Sequence, residues 1–114
     1  MLNLGNMNTL DLVQAFSSYR KKDLYYYFYQ WSKYKEGDPK VSGPLDKTPF
    51  KRYEGREVLY FINCCALEIW NWPIPKDTFR KLEKALRYVP SEVYKQVEVK
   101  QWILDNHLKF WASL

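Results

Sequence analysis

Three side chains in this sequence have the chemistry of a nucleophile or a base: Cys64, Cys65 and the sole histidine, His107. A catalytic pair would need the base within hydrogen-bonding reach of the nucleophile. The cysteines lie in "GREVLYFINCCALEIW", the most apolar stretch of the chain, where a thiolate is disfavoured. The sequence therefore favours His107 as a surface or half-buried ring, with a Cys–His pair as the alternative. We expect no catalytic residues and no enzyme.

Metal and cofactor sites of known type are also not expected. Two adjacent cysteines cannot both reach one tetrahedral zinc ion comfortably, and no CxxC or HxxxH spacing completes a set. No GxGxxG or GxxxxGK[ST] pattern occurs that would cradle a nucleotide phosphate. The sequence thus predicts no cofactor, no metal and no small-molecule substrate.

The adjacent cysteines also bear on the compartment. A disulfide between neighbours forces a strained geometry, so two reduced thiols in a helix are the simpler interpretation, and they favour a reducing, cytoplasmic location. The N-terminus "MLNLGNMNTLDLVQ" lacks the pattern of a signal peptide. No run of about eighteen apolar residues occurs, so no membrane association is expected.

Positive charge gives the strongest functional signal. The formal net charge is +5, which suits an anionic partner. One predicted helix carries a row of cations at 4-4-3 spacing, opposite its apolar residues: Lys76, Arg80, Lys84 and Arg87. Such a row can follow phosphates and release their counterions. The alternative is a solvated outer face with an internal Glu83–Arg87 pair.

A second cluster mixes cations with rings in "DKTPFKRYEGRE". Its cations are Lys47, Lys51, Arg52 and Arg56, and its rings are Phe50 and Tyr53. Rings that stack on bases beside cations that hold the backbone suit single-stranded nucleic acid. Tyr and Arg also dominate protein–protein hot spots. A third interpretation is structural, with Phe50 and Tyr53 pinning a loop to the fold.

Rings are most concentrated in "DLYYYFYQW", residues 23–31. Read as a helix over 24–35, with Asp23 as its cap, this stretch sorts its rings onto two faces. Leu24, Tyr27, Phe28, Trp31 and Tyr34 would enter the core. Tyr25, Tyr26 and Tyr29 would form a tyrosine face for a protein partner, unless the last helix covers them.

The elements that must position these groups are predicted to be helices. Apolar periodicity favours a helix from Asn8 or Thr9, helices over 24–35, 55–70 and 75–89, and one or two helices after Ser91. Residues 36–50 gather prolines and glycines into a long loop. We expect one helical domain over 1–114, an all-α compact bundle of four to five helices.

Taken together, these patterns predict a small, basic, non-catalytic binding protein that associates with nucleic acid. A helix-turn-helix is disfavoured because the "NWPIP" turn has no glycine and the preceding helix is too apolar to cross a backbone. The alternative is a protein–protein module, such as an inhibitor, an immunity-type protein or an adaptor, that uses the tyrosine face.

Overall fold

The computed structural model of the chain describes the backbone of residues 19–69 and 76–113, with their side chains except 66–69, 76–78, 110 and 111. Its α-helices are α1 (Gly55–Ile69), α2 (Lys76–Ala85) and α3 (Gln96–Phe110). Short 3-10 helices span Lys21–Asp23 and Trp111–Ser113. Extended pairing within these residues is limited to two isolated β-bridges. The described chain is therefore mostly helical, with almost no strand.

The predicted bundle of four to five helices is wrong. Three α-helices occur in the described part of the chain, and residues 24–35, predicted as a helix, contain none. The backbone N–H groups of this segment donate to distant acceptors instead. Gln30 donates to the carbonyl of Tyr53 at 2.8 Å and Ser32 to the Glu54 carboxylate at 3.2 Å. Aromatic residues have only middling helix propensity, so tertiary bonds override it here. The helix predicted from Asn8 or Thr9 lies outside the described residues.

Helix α1 confirms the predicted helix over 55–70 and forms the centre of the core. Val58, Phe61, Ile62 and Cys65 are buried along one stripe, as its periodicity predicts. The core around them combines residues of α1, α2 and α3 with two residues of the turn after α2 and two aromatic residues from the irregular segments. Its other buried members are Tyr19, Phe50, Phe79, Leu82, Leu86, Val89, Val99 and Ile103.

Helix α2 is shorter than the predicted 75–89, because it ends at Ala85 and continues as a turn. The N–H of Arg87 donates to the carbonyl of Lys84, which tightens the chain to an i→i−3 pattern. The guanidinium of Arg52 then donates to the carbonyls of Leu86 and Val89, at 2.9 and 2.5 Å, and to that of Pro90 at 3.1 Å. A side chain from the 47–56 cluster thus satisfies the backbone acceptors that follow α2.

Helix α3 is one α-helix followed by a 3-10 turn, and the long loop docks on its first residues. The backbone N–H groups of Gln96 and Val97 donate to the carbonyls of Thr48 and Asp46 at 2.9 and 3.0 Å. The buried Gln96 side chain donates to the carbonyl of Pro39 and accepts from the N–H of Asp46. Leu108 in α3 is 87% exposed. None of the described helices has the length and apolar character required to cross a membrane.

Gly55 permits a close approach at the start of α1. A Cβ at this position would lie 2.4 to 2.7 Å from three atoms of the Trp31 indole, well inside van der Waals contact. The N–H of Gly55 donates to the carbonyl of Gln30 at 2.8 Å, so the aromatic chain crosses directly over the helix terminus. The glycine is therefore required by the ring above it.

We predict that the effect of Gly55→Ala on stability depends on Trp31, and that the change is destabilising only when the indole is present. In the native background it should destabilise the fold by about 1–3 kcal/mol, since the ring must move. In a Trp31→Ala background the clash is gone, and the better helix propensity of alanine should make the change neutral or favourable by up to about 1 kcal/mol. Urea unfolding of the four proteins of this cycle measures both values. Equal effects in both backgrounds would contradict the packing argument.

Candidate nucleic-acid interface

The aromatic segment, residues 24–31, lies along α2, so that the predicted basic row and the predicted tyrosine face form one surface. Arg80 and Arg87 are exposed, and Lys84 is half-buried. Lys76 is the first residue of α2, but its side chain lies outside the described residues. On the opposite side of the helix Phe79, Leu82 and Leu86 are buried, as predicted.

The Glu83 carboxylate joins the two elements. It is only 1% exposed and accepts four hydrogen bonds. Its Oε1 accepts from the Tyr19 hydroxyl and from the backbone N–H of Tyr25, the latter at 2.8 Å. Its Oε2 accepts from the backbone N–H of Tyr26 at 3.0 Å and the Tyr29 hydroxyl at 2.7 Å. Glu83 therefore points inward to the aromatic chain, and each of its carboxylate oxygens accepts two of these bonds.

The phenols that donate to Glu83 are held protonated. Burial raises the pKa of Tyr19 and of Tyr29, and the hydrogen bond to Glu83 and its negative charge raise each pKa further. Burial also raises the pKa of Tyr26, against which the positive charge of Arg87 acts in the opposite direction. Each hydroxyl bound to the carboxylate is thus a lasting donor, as a fully bonded buried carboxylate requires.

Cations lie over the rings of the aromatic segment. The Lys84 ammonium is 4.3 Å from the ring centroid of Tyr25. The guanidinium carbon of Arg87 is 4.7 Å from the centroid of Phe28 and 5.6 Å from that of Tyr26. These distances are within the range of cation–π attraction. Rings and cations therefore alternate across one continuous surface, which we name the ring–cation surface.

The rings that face solvent are not those that the helical interpretation selected. Tyr27 is 97% exposed and Phe28 44%, although both were predicted to enter the core. Tyr25 is 50% exposed, whereas Tyr26 and Tyr29 are half-buried, so the tyrosine face is only partly outward. Tyr29 packs against the core and donates its hydroxyl to Glu83. Because this segment is not a helix, its side chains do not follow the helical period, and this redistributes the rings.

The 47–56 cluster divides between the core and the surface. Phe50 is buried and stacks on Phe61 at 4.6 Å between centroids, while Tyr53 is 48% exposed. Arg52 is half-buried and bonded to carbonyls of the chain, as described above. Burial lowers its pKa, and the charge of Arg87 adds to this effect. The remaining cations are exposed: Lys47, Lys51 and Arg56, of which Arg56 lies 5.9 Å from the Tyr34 ring centroid.

Two recesses open on the ring–cation surface. The smaller, of about 130 Å³, is lined by Phe28, Tyr29, Arg52, Glu83, Leu86 and Arg87. The larger, of about 580 Å³, is lined by Leu24, Tyr25, Tyr26, Tyr27 and Arg80. Arg52 is thus the member of the 47–56 cluster that meets the α2 row.

The residues considered for chemistry lie elsewhere. Cys64 and Cys65 are buried in α1 and are not joined by a disulfide. The Nδ1 of His107 lies 2.8 Å from the carbonyl oxygen of Leu104 in its own helix. Within residues 19–69 and 76–113, no three His, Cys, Asp or Glu side chains converge into a set of metal ligands.

Comparison with protein-family models, with curated proteins and with solved structures found no significant match.

The position of Glu83 relative to the apolar residues of α2 indicates burial, although the surrounding charges suggest a surface residue. Phe79, Leu82, Glu83 and Leu86 follow i, i+3, i+4, i+7 spacing, so Glu83 belongs to the apolar stripe. A carboxylate at such a position must find donors inside the protein. The stripe therefore identifies Glu83 as a buried acceptor, although it does not name the donors.

We predict that Glu83→Gln strongly destabilises the protein. The amide must point its NH₂ group at one pair of donors, which leaves up to two buried groups unsatisfied at about 1–3 kcal/mol each. Chemical denaturation should show a loss of about 2–5 kcal/mol. The exposed Glu92 provides the matched control, since Glu92→Gln should change stability by less than about 0.5 kcal/mol. A Glu83→Gln protein as stable as the native one would show that the four bonds contribute little.

The raised tyrosine pKa values predict a stability that declines in alkali. An unfolded tyrosine ionises near pH 10, whereas Tyr19 and Tyr29 stay protonated in the fold, so above pH 10 the folded state binds more protons. The stabilisation is complete below pH 10 and is lost as pH rises above it, by up to about 1.4 kcal/mol per pH unit for each tyrosine. The free energy of unfolding, measured from pH 9 to pH 11, should fall less steeply for Tyr29→Phe. The exposed Tyr27→Phe is the control and should keep the native slope.

Proposed function

We propose that this protein is a non-catalytic binder of single-stranded nucleic acid, and that it binds across the ring–cation surface. The observation that supports the proposal is the meeting of the α2 cations with exposed rings on one surface. Single-strand binders combine these two groups, because cations follow the phosphates while rings stack on bases. The formal charge of +5 favours the approach of such a strand.

We assign the cations to the phosphates of the strand and the exposed rings to its bases. Arg80, Lys84 and Arg87 recur along about two turns of α2 and the turn after it, and they supply the phosphate contacts. Tyr27 is almost fully in solvent, and with Tyr25 it supplies ring faces for stacking. The larger recess between these tyrosines and Arg80 can accept a base beside its phosphate.

The proposed binding is independent of sequence. Cations on phosphates fix the position of a strand but do not read its bases. Ring faces are equally tolerant, because every base has a face to stack. The proposal therefore concerns single strands as a class, and no particular sequence.

A protein partner is the second candidate, and the exposure of the rings favours it. Tyr25, Tyr27, Phe28 and Tyr88 are all exposed, and tyrosine beside arginine is the composition of interface hot spots. An inhibitor, immunity-type protein or adaptor would use the same surface. Its binding would change little with salt, whereas phosphate binding weakens steeply.

The compartment belongs to the same proposal. Cys64 and Cys65 lie buried as thiols, a state that a reducing environment maintains. We propose a cytoplasmic location, where single-stranded nucleic acid is also accessible.

We predict that replacing Arg80, Lys84 and Arg87 together by alanine strongly weakens binding to a labelled single-stranded oligonucleotide. Losing three phosphate contacts should reduce the slope of log K against log salt concentration by about 2, because each contact contributes about 0.7 on a single strand. Fluorescence anisotropy at several salt concentrations measures the affinity and the slope together.

The control removes the same charge from exposed lysines outside the ring–cation surface: Lys33, Lys35 and Lys109. This triple alanine variant should retain most of the affinity and most of the slope. An equal loss of affinity in both variants would show that binding depends on net charge and not on the ring–cation surface. No oligonucleotide binding by the native protein would overturn the proposal and leave the protein-partner candidate.

A further inference from the structure

The smaller recess contains two guanidinium groups and one carboxylate. Arg52 and Arg87 line it with Glu83, which gives the recess a formal charge of +1. Both oxygens of Glu83 are already occupied, because each accepts two hydrogen bonds from the aromatic chain. The recess therefore offers unmatched positive charge.

Its arginines are placed in different ways. Three carbonyls fix the orientation of the Arg52 guanidinium at the end of α2. Arg87 is exposed, and its guanidinium carbon lies 4.7 Å from the ring centroid of Phe28. An exposed guanidinium beside a ring can donate N–H groups to a phosphate, often two at once.

The two positive charges also act on each other. The charge of Arg87 contributes to the lowered pKa of Arg52, after burial. An anion between them would relieve this repulsion. Phe28 and Leu86 form apolar walls, and the volume of about 130 Å³ suits one small group rather than a ring system.

We infer that the recess between Arg52, Arg87 and Phe28 is a phosphate subsite. The inference rests on the proposed function and refines it. The recess takes one phosphate of the strand, with Arg87 as its principal donor, and the adjoining base stacks against the aromatic segment.

The test uses inorganic phosphate as the probe, so that it does not depend on a strand being bound. Phosphate is titrated into ¹⁵N-labelled full-length protein, with sodium chloride at matched ionic strength as the reference. Amide resonances of Phe28, Tyr29, Leu86 and Arg87 should shift with phosphate alone. Arg87→Gln should weaken this binding about tenfold or more, because charge-assisted bonds are lost. The phosphate affinity of Arg87→Lys should lie between those of the native protein and Arg87→Gln, since lysine keeps the charge but lacks the forked N–H geometry of a guanidinium.

The matched control is Arg56→Gln, an exposed arginine beside Tyr34 and outside the recess. It should leave phosphate binding unchanged. Arg52 is not substituted, because its bonds hold the chain after α2. The subsite would be overturned if the chemical-shift changes were spread evenly over all basic residues and were the same in Arg87→Gln.

The oligonucleotide measurement separates the two proposals. A protein that binds the strand but shows no phosphate shifts in the recess would overturn the subsite and keep the proposed function. A protein whose recess binds phosphate through Arg87 but that binds no strand would support the subsite and overturn nucleic-acid binding.

Discussion

The buried carboxylate of Glu83 is the constraint on which the arrangement of this protein depends. Removing a carboxylate from water costs several kcal/mol unless donors replace the solvent. Here two hydroxyls and two backbone N–H groups replace it, and all four come from residues 19–29. The N–H groups of Tyr25 and Tyr26 are thereby withdrawn from any helix. The hydrogen bonds that satisfy the Glu83 carboxylate therefore also keep residues 25 and 26 out of a helix.

Buried carboxylates at the start of α1 also accept hydrogen bonds from the irregular chain. Glu54 accepts from the N–H and hydroxyl of Ser32, and Glu57 accepts from the Tyr34 hydroxyl at 2.6 Å and the N–H of Lys51 at 3.1 Å. Both carboxylates are buried near the positive end of the α1 dipole, which favours their charge. Three carboxylates, two on helices and one immediately before α1, therefore hold the irregular chain from residue 19 to residue 34. Rings fill the space between these anchors.

The sequence predicts the helices better than it predicts this chain, for a physical reason. The periodicity of α1, α2 and α3 arises from neighbours three and four residues apart, so local pattern suffices to find them. The donors and acceptors of the aromatic chain are 22 to 64 residues apart along the sequence. No local pattern contains that pairing. The rings of residues 24–35 even fit a helical wheel, which is why a helix was predicted there. The stripe position of Glu83 indicates a buried acceptor, but it leaves the donors unnamed.

The same constraint explains why the candidate interface lies where it does. The hydrogen bonds from Tyr26 and Tyr29 to Glu83 anchor these two residues on α2, and Tyr27 between them is exposed. Lys84 and Arg87 follow Glu83 by one and four residues, so α2 and the turn after it supply both the acceptor and the cations beside the rings. Anchor, rings and cations therefore lie on the end of α2, the turn that follows it and the chain that crosses them. A ligand that contacts these cations therefore also contacts the rings that Glu83 has positioned.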